Sequence, residues 1–460
     1  MRRLVHFRYY NHIGRINKTF VLTLGLFCLL FFCEGISARA DEPLVIVIDP
    51  GHGGENRGGE HEQYTEKELT PIVANAMKEE LEKYEGVEVY LTHDTDVDMS
   101  IKDRALFASE KDADFLFCLH FNMSVNHNLF GAEVWVPATG EYYSKGYSFA
   151  QIQMQEFLDI GLYSRGIKTR INDRNENYYG ILRYCTQENI PSVLIEHCHL
   201  DHAKDQPFYQ QGEEQLKAFG VMDATAVAKY FHLRSEILGV DYQDYPVPET
   251  PVPADIVRPD STEPEVSYIE VTEINEETGE ITVSANAEDS DSYILYYEYS
   301  LDGGNSYSEL NEWPRPEWNA SLGSNTFTVK VPYDRPIELR MNVFNGFDLW
   351  TESNIVAIDA IPDPERLKRE AELAAEEEAL RREEQQRIQQ NKEGDSVLTD
   401  ENRADEQVRE ITIEEPYQEE DPQSMLYVWA VLALILLAMI FVAFFMAGKI
   451  DLLLRGKKRR

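Results

Sequence analysis

The stretch Val45–Gly54, VIVIDPGHGG, predicts a buried β-strand that runs into a tight turn carrying a histidine. Its apolar run ends at Asp49, and His52 follows among glycines, which let the backbone bend sharply and leave the imidazole uncrowded. Ligands of open α/β sheets bind beyond the carboxyl ends of the strands, so this position suits a functional side chain. The spacing matches neither GxGxxG nor GxxxxGK(S/T), which argues against a phosphate loop. A purely structural turn histidine is the alternative.

Outward from this stretch, residues 41–234 alternate between strand-like and helix-like patterns. Such alternation predicts an α/β domain with a mixed, largely parallel sheet flanked by helices. A domain of about 190 residues is long enough to bury one sizeable core. The strand-like runs are LVIVID, VEVYLTH, FLFCLHF, AEVWV and SVLIEHC, and the helical patterns cover 71–85, 101–111, 144–163 and 211–231.

Two further strand ends carry polar side chains. In FLFCLHFN, His120 ends an apolar strand, and alternation puts Cys118 and Asn122 on the same face as His120. In PSVLIEHC, Glu196 follows the apolar run, and a carboxylate there is costly to bury unless it is paired or close to a metal. Three strand ends therefore offer two histidines and a glutamate.

A second carboxylate, Glu66 in YTEKEL, lies at a junction between a loop and a helix. Thr65 and Glu68 have the spacing of a capping box, which would put Glu66 in the first turn. Pro71 argues instead that the regular helix starts near Thr70.

Two histidines and one carboxylate can bind zinc and leave one coordination position open to water. Zinc lowers the pKa of such a water and polarises a carbonyl, which amide hydrolysis requires. A carboxylate that binds no metal can accept the proton of the water and later deliver it to the leaving amine. The sequence therefore predicts a metal-dependent hydrolytic site.

Several ordered motifs resemble the zinc-dependent N-acetylmuramoyl-L-alanine amidases of bacterial cell walls, the amidase type 3 family. IDPGHGG is similar to the family's opening signature, and TEKEL, DRALFASEKDADFLFCLHFN and YYGILRYCTQENIPSVLIEHC are similar to its later segments. The resemblance covers residues 43–233. It implies that His52, Glu66 and His120 bind Zn²⁺ and that Glu196 acts as general base and then general acid. It also implies that peptidoglycan is cut between N-acetylmuramic acid and L-alanine.

The chain departs from the family pattern after the catalytic glutamate and after GHGG. After the catalytic glutamate, the family usually has a Gly-Phe pair and a nearby Asn, whereas this chain has HCHLDH at 197–202. After GHGG, the family usually has an Asp-Pro-Gly-Ala-like stretch, whereas this chain has ENRGGE. We expect His197 and His199 to be core or edge residues rather than extra ligands. Asn122 and Arg183 are candidates for contacting the substrate, and a structural ion pair is the alternative role for Arg183.

Both ends of the chain carry membrane-targeting patterns. Residues 1–40 read as a secretory signal peptide, with a basic start, an apolar run and the small-x-small site Ala38-Arg39-Ala40. Residues 425–447 are uncharged and long enough to span a bilayer, and the basic tail 448–460 predicts a cytoplasmic end. We therefore expect a single-pass protein of the cell membrane whose catalytic domain faces the wall.

Between the catalytic domain and the predicted span, the composition changes three times. Residues 235–264 read as a stiff Pro-rich linker, and 265–360 as a small β-sandwich similar to immunoglobulin or fibronectin type III modules. Residues 361–424 read as a charged helical stalk followed by an acidic coil from Glu393. Trp313, Trp318 and Trp350 of the β-sandwich could mark a ligand face, and a core or corner position is the alternative for all three.

Composition limits the partners of this protein. The formal net charge of −39 over 460 residues argues against nucleic-acid binding, because phosphates would be repelled. Only three of the five cysteines lie beyond the predicted signal peptide, which argues against a disulfide framework. The expected partners are peptidoglycan, the membrane, and a wall or regulatory protein bound through the β-sandwich. A non-catalytic wall-binding scaffold and a zinc peptidase acting on stem peptides are the alternative functions.

Overall fold

A computed structural model describes residues 43–401 of the chain, with side chains described through Asn391. The chain forms two compact units, Met1–Ala371 and Glu372–Arg460. Within the described residues, the first unit contains an α/β domain and a β-rich domain. The predicted signal peptide, membrane span and basic tail lie outside the described residues, as do positions 402–424 of the predicted acidic coil.

A mixed β-sheet forms the centre of the α/β domain. Its strands, together with two short hairpins, are β1 (Leu44–Pro50), β2 (Glu60–His61), β3 (Tyr64–Thr65), β4 (Val87–Leu91), β5 (Phe115–Asn122), β6 (Ala132–Trp135), β7 (Ser164–Lys168), β8 (Ser192–His199), β9 (Arg234–Ser235) and β10 (Val240–Asp241). Six strands pair in the order β4-β1-β5-β8-β6-β7. Every pairing is parallel except that of β6 with β8, which confirms the predicted largely parallel sheet.

Helices cover both faces of this sheet. They are α1 (Glu66–Leu81), α2 (Ile101–Glu110), α3 (Gly140–Asp159), α4 (Gly180–Gln187) and α5 (Glu213–Tyr230), with a 3₁₀ turn at Gln206–Phe208. Apolar residues of α1, α3 and α5 pack with one face in a large core cluster. Residues of α2 and α4 form a smaller cluster with the other face. The two layers bury most residues of the central strands.

Two elements of this domain lack a clear sequence signal. Strand β7 is buried at all five positions, yet it contains Arg165, Gly166 and Lys168, so it shows neither an apolar run nor an alternation. Helix α4 has only eight residues, too few to display a reliable helical period. The sequence analysis therefore missed both elements.

Helix α1 begins at Glu66, which is earlier than Pro71 suggested. Thr65 is the N-cap residue, with an extended backbone, and the Glu66 N–H donates to the carbonyl of Gly59 at 2.9 Å. Because the preceding loop supplies partners for the first turn, the helix can begin before the proline. The predicted start near Thr70 is thus wrong, and the capping-box position is right.

The β-rich domain consists of two antiparallel sheets that share one apolar core. Its strands are β11 (Val266–Asn275), β12 (Glu280–Glu288), β13 (Ile294–Ser300), β14 (Asn311–Glu312), β15 (Ser324–Lys330), β16 (Ile337–Asn345), β17 (Trp350–Glu352) and β18 (Val356–Ile358). One sheet has the order β11-β12-β15, and the other has β14-β13-β16-β17 with β18 also on β16. Trp313 lies in the core, whereas Trp350 is 46% exposed.

The β-sandwich packs directly against the α/β domain near β7. Tyr163 donates its hydroxyl hydrogen to the Leu295 carbonyl at 2.5 Å, and Tyr296 donates to the Phe130 carbonyl. Phe130, Leu295 and Tyr296 also belong to a small apolar cluster. A β-carbon at Gly166, whose φ is +89°, would lie 1.6 Å from the Tyr293 hydroxyl oxygen. The close contact between the two domains therefore requires glycine at this position.

The Pro-rich linker is extended, but it does not act as a free spacer. Ser144 of α3 donates to the Thr250 carbonyl at 2.5 Å, and the Val257 N–H donates to the Ala138 carbonyl at 2.8 Å. Tyr242 and Val247 pack against the main core. Apolar and hydrogen-bonding residues thus attach the segment to the α/β domain at several points.

Helix α6 (Pro364–Glu401) follows the β-sandwich and continues into the second unit. Asp363 caps it, since its Oδ1 accepts the Glu365 N–H at 2.9 Å. The helix passes through Gly394, so the predicted start of a coil at Glu393 is wrong for the described part. Within residues 43–401, no helix is both long enough and apolar enough to cross a membrane.

Candidate active site

Three side chains converge at the carboxyl edge of the sheet. His52 follows β1, Glu66 begins α1, and His120 lies near the end of β5. One nitrogen or oxygen atom of each side chain lies within 4.8 Å of the others. Glu66 is buried and both histidines are half-buried. The structure thus brings together the three residues that the sequence grouped, and this donor set can hold a metal ion.

The turn after β1 fixes the position of His52. Its φ of 68° lies in the left-handed region, which is rare for a residue with a β-carbon. Asn56 Oδ1 lies 2.9 Å from His52 Nδ1, so this nitrogen donates and Nε2 turns toward Glu66. A β-carbon at Gly51 would lie 2.5 Å from Cε1 of His120. The glycine before the histidine therefore makes room for the second imidazole.

Glu66 is held as a carboxylate by donors on several sides. His120 Nδ1 lies 2.7 Å from Oε1 and His52 Nε2 lies 2.9 Å from Oε2. The backbone N–H groups of Phe121 and Gly59 also donate to the carboxylate, at 3.0 and 2.8 Å. Burial raises the pKa of Glu66, but the charges and hydrogen bonds of the two histidines outweigh it and hold the pKa well below its usual range. An ionised carboxylate is the form that binds metals.

Arg104, on α2, fixes the turn that carries His52. Its Nη1 donates to Asp49 Oδ1 at 2.8 Å and to the Pro50 carbonyl at 2.7 Å, and its Nη2 donates to the His52 carbonyl at 2.6 Å. The sequence analysis missed this residue. The available signal was Asp49, since a carboxylate at the end of a buried strand needs a cationic partner.

We predict that Arg104→Ala destabilises the fold by about 3–5 kcal/mol, because it leaves the buried Asp49 carboxylate without its cation. The side chains of this pair are 6% and 2% exposed. The measurement is chemical denaturation of the purified protein. Arg234→Ala breaks the exposed Arg234–Glu85 pair, at 48% and 43% exposure, and serves as the matched control with an expected cost below about 1 kcal/mol. Equal losses in the two variants would contradict the prediction.

Glu196 lies on β8 in register with His120 of the neighbouring strand. Its side chain is buried, and its Oε2 has no hydrogen-bond partner within the part of the chain that the structure describes. Burial raises the pKa of Glu196 well above its ordinary value, and the nearby Glu66 and Glu133 carboxylates add to the rise. Glu196 lines a cleft, and a carboxyl group with a raised pKa in such a place can exchange protons with a bound molecule.

A second buried glutamate, Glu133, lies beside Glu196 on β6, in register with it. It accepts hydrogen bonds from Asn122 Nδ2 at 2.9 Å, Arg165 Nε at 2.9 Å and Lys168 Nζ at 2.8 Å. Burial raises the pKa of Glu133, but Lys168 and Arg165 outweigh burial and hold the pKa well below its usual range. The sequence analysis did not single out Glu133, although an acid within the apolar run AEVWV was a usable signal.

The two residues proposed to contact the substrate differ in position. Asn122 lines the cleft, although its amide already donates to Glu133. Arg183 donates through Nη1 to the carbonyls of Asn177 and Tyr178, at 2.7 and 3.0 Å. Arg183 therefore braces the loop before α4 rather than pairing with a carboxylate.

The histidines after Glu196 point into the protein interior. His197 Nδ1 donates to the His120 carbonyl at 3.0 Å, and its Nε2 lies 2.8 Å from Asp223 Oδ2. His199 Nδ1 donates to the Gly131 carbonyl at 3.0 Å, and burial lowers the pKa of His199 to about 3. Both positions agree with the expectation of core residues.

The three cysteines of the described residues, Cys118, Cys185 and Cys198, are buried and form no disulfide bond with one another.

A cleft of about 360 Å³ joins these groups. His52, Glu66, His120 and Glu196 all line it, and Tyr179 lies on its far wall. Within the described residues, these histidines and Glu66 form the one cluster of three potential metal ligands, and Glu196 lines the same cleft. A carboxyl group next to a metal site, in a cleft of this size, is an arrangement suited to hydrolysis.

Comparison with known proteins identifies relatives of the α/β domain. Residues 46–226 match the family model described as N-acetylmuramoyl-L-alanine amidase. The endolysin of Bacillus phage SPP1 is 27% identical over 192 residues, which are 42% of this chain and 68% of that protein. The N-acetylmuramoyl-L-alanine amidase LytC of Bacillus subtilis (strain 168) is 25% identical over 185 residues, 40% of this chain and 35% of LytC.

Among solved structures, the catalytic domain of CwlV, an N-acetylmuramoyl-L-alanine amidase from Bacillus (Paenibacillus) polymyxa var. colistinus, is 25% identical to this chain. The match covers 42% of this chain and 99% of the CwlV domain, with a TM-score of 0.35. The chain thus spans nearly all of one isolated catalytic domain, but only about a third of LytC.

Proposed function

The chain belongs to the N-acetylmuramoyl-L-alanine amidase family, and on that premise we propose that it hydrolyses the amide bond between N-acetylmuramic acid and L-alanine in peptidoglycan. The observation that carries the proposal is the convergence of His52, Glu66 and His120 beside Glu196 in one cleft. A protein that had lost the activity would have no physical reason to keep a buried carboxyl oxygen without a partner at this place.

We propose Zn²⁺ as the metal, bound by His52, Glu66 and His120. Two imidazoles and one carboxylate are a common ligand set for catalytic zinc, and the open cleft leaves room for water and substrate. When bound, Zn²⁺ lowers the pKa of a water molecule and polarises a carbonyl group. The close packing of Gly51 against His120 and the hydrogen bond from His52 to Asn56 keep both imidazoles oriented for this role.

Glu196 is the proposed proton carrier of the reaction. It accepts the proton of the attacking water and then delivers this proton to the leaving amine nitrogen of L-alanine. Glu196 lines the cleft, where its carboxyl group can meet the water, and its raised pKa favours the second step, in which it acts as an acid. Glu133 and its partners Arg165 and Lys168 hold β6 and Asn122 in place beside it.

The test of this proposal is the appearance of new amino termini during digestion of purified peptidoglycan by the purified protein. An amidase releases one L-alanine amino terminus for every bond that it cuts, which amine labelling followed by hydrolysis identifies. New amino termini on other stem residues would instead indicate a stem peptidase. A different result would support the alternative of a non-catalytic wall-binding scaffold: the purified protein contains no zinc, and it releases no new amino termini from peptidoglycan even after zinc is added.

We further propose that the protein is anchored in the cell membrane with its catalytic domain on the wall side. The sequence patterns of residues 1–40, 425–447 and 448–460 support this arrangement. Protease added to intact protoplasts is then expected to digest residues 41–424 and to spare the basic tail. A protected catalytic domain together with a digested tail would overturn the topology. In this arrangement the β-sandwich could bind a wall or regulatory protein.

A further inference from the structure

A second cavity, of about 550 Å³, lies beside the cleft described above. The two cavities share Asn122 and Tyr179 in their walls, so they lie side by side. One side of the second cavity belongs to the α/β domain, with Trp135 and Arg170. The opposite side belongs to the β-sandwich, with Phe347 and neighbouring residues. A long molecule bound at Glu196 that passes Asn122 or Tyr179 would reach a space that exists only because the two domains are packed together.

The two walls of this cavity are fixed to one another by a buried ion-pair network. Arg165, which is 2% exposed, donates to Glu133 at 2.9 Å and to both carboxylate oxygens of Asp348 at 3.0 and 2.7 Å. Its Nη1 also donates to the Tyr296 hydroxyl at 3.1 Å. Because Asp348 and Tyr296 belong to the β-sandwich, the shape of the cavity depends on these contacts, in which a buried guanidinium meets a carboxylate that is 35% exposed.

Most charged groups in the cavity wall are already neutralised. Glu133 is paired with Arg165 and Lys168, and Asp348 with Arg165. Asp260 forms no ion pair within residues 43–391 and keeps its charge, but its two oxygens accept hydrogen bonds from Thr262 and Asn345.

Arg170 is the exception among the cationic groups. Its guanidinium lies 3.8 Å from the centre of the Tyr178 ring, and it forms no ion pair with any carboxylate of residues 43–391. Arg170 is exposed and lines the cavity. The cavity therefore offers one available positive charge, fixed in place by an aromatic ring, with apolar surface from Trp135 and Phe347 beside it.

We propose that this cavity is a subsite for the peptide part of the substrate, in which Arg170 binds a carboxylate. The inference rests on the proposed function, because it assumes that the scissile amide lies at Glu196 and that a peptide continues from it. A guanidinium stacked on an aromatic ring is preorganised to bind a carboxylate with two hydrogen bonds. The β-sandwich is then part of the binding site for acidic peptides, in addition to any role in attachment.

The test compares two L-alanyl peptides in direct binding measurements by calorimetry, with the purified full chain. One peptide carries a side-chain carboxylate at its second or third residue, and in the other this group is a carboxamide. We expect the acidic peptide to bind about tenfold more tightly or better, the usual effect of one charged hydrogen bond. Arg170→Gln should remove this preference and leave the affinity for the carboxamide peptide unchanged.

Arg174→Gln is the matched control, because Arg174 lies in the same loop, is 75% exposed and pairs with Glu176 rather than lining the cavity. This variant should keep the preference for the acidic peptide. Equal affinities of the wild type for the two peptides would overturn the inference, and so would a preference that survives Arg170→Gln. Binding is measured without cleavage, so a failure of the proposed hydrolysis would show separately, as an absence of new amino termini from peptidoglycan.

Discussion

Replacing Glu196 with glutamine is expected to slow peptidoglycan hydrolysis by about two to four orders of magnitude, the usual size of a general acid–base contribution. Glutamine has the shape of glutamate but can neither accept the proton of the water nor deliver a proton to the amine. The fold should persist, because Glu196 Oε2 has no hydrogen-bond partner to lose among residues 43–401. Metal content should also be unchanged, since the three proposed ligands are untouched.

The measurement is the initial rate of amino-terminus release, together with metal content and thermal unfolding of the same preparation. Glu79→Gln is the matched control, because Glu79 is an exposed residue of α1 and its change should alter none of these quantities. Turnover of Glu196→Gln close to that of the wild type would remove Glu196 from the catalytic role. A loss of metal from this variant would instead make Glu196 a ligand.

His120→Ala is expected to lose bound zinc and hydrolytic activity together. The imidazole is one of the three proposed ligands, and it also hydrogen-bonds Glu66 at 2.7 Å, so its removal leaves the Glu66 carboxylate poorly held. The measurement is zinc content by elemental analysis, with hydrolysis measured on the same sample before and after zinc is added back.

His127→Ala is the matched control for this substitution. The His127 side chain is 62% exposed and pairs with Asp201 outside the proposed ligand set, so zinc content should be kept. Activity that persists in His120→Ala after zinc is lost would mean that the metal is not catalytic. Zinc that remains at the wild-type level would mean that His120 is not a ligand.

Much of the site follows from the sequence because its main residues lie in or just after strands, or begin a helix. Glu196 directly follows an apolar run and His52 lies in the turn after another, and the carboxyl ends of parallel strands meet at one edge of the sheet. For Glu66, the sequence gives two conflicting signals for the start of α1: the capping pattern of Thr65 and Glu68, and Pro71. The loop contacts that determine where the helix begins are not visible in the sequence.

The residues that hold the site in place could not be found in this way. Arg104 and Glu133 act through partners that are far from them along the chain, such as Asp49 at 55 positions from Arg104. Strand β7 resembles a polar loop in sequence, because its cationic side chains are buried only in the presence of Glu133 and Asp348. The docking of the β-sandwich likewise depends on tertiary contacts, which composition and periodicity do not encode.

The most direct test of the central claim is mass spectrometry of the products released when the purified protein digests purified peptidoglycan. Hydrolysis of the bond between N-acetylmuramic acid and L-alanine predicts intact stem peptides with a free L-alanine amino terminus, together with glycan strands that have lost them. Each cut should add the mass of one water, and Glu196→Gln should yield neither product at a comparable rate. Fragments cut only within the glycan, or only between stem amino acids, would contradict the assignment.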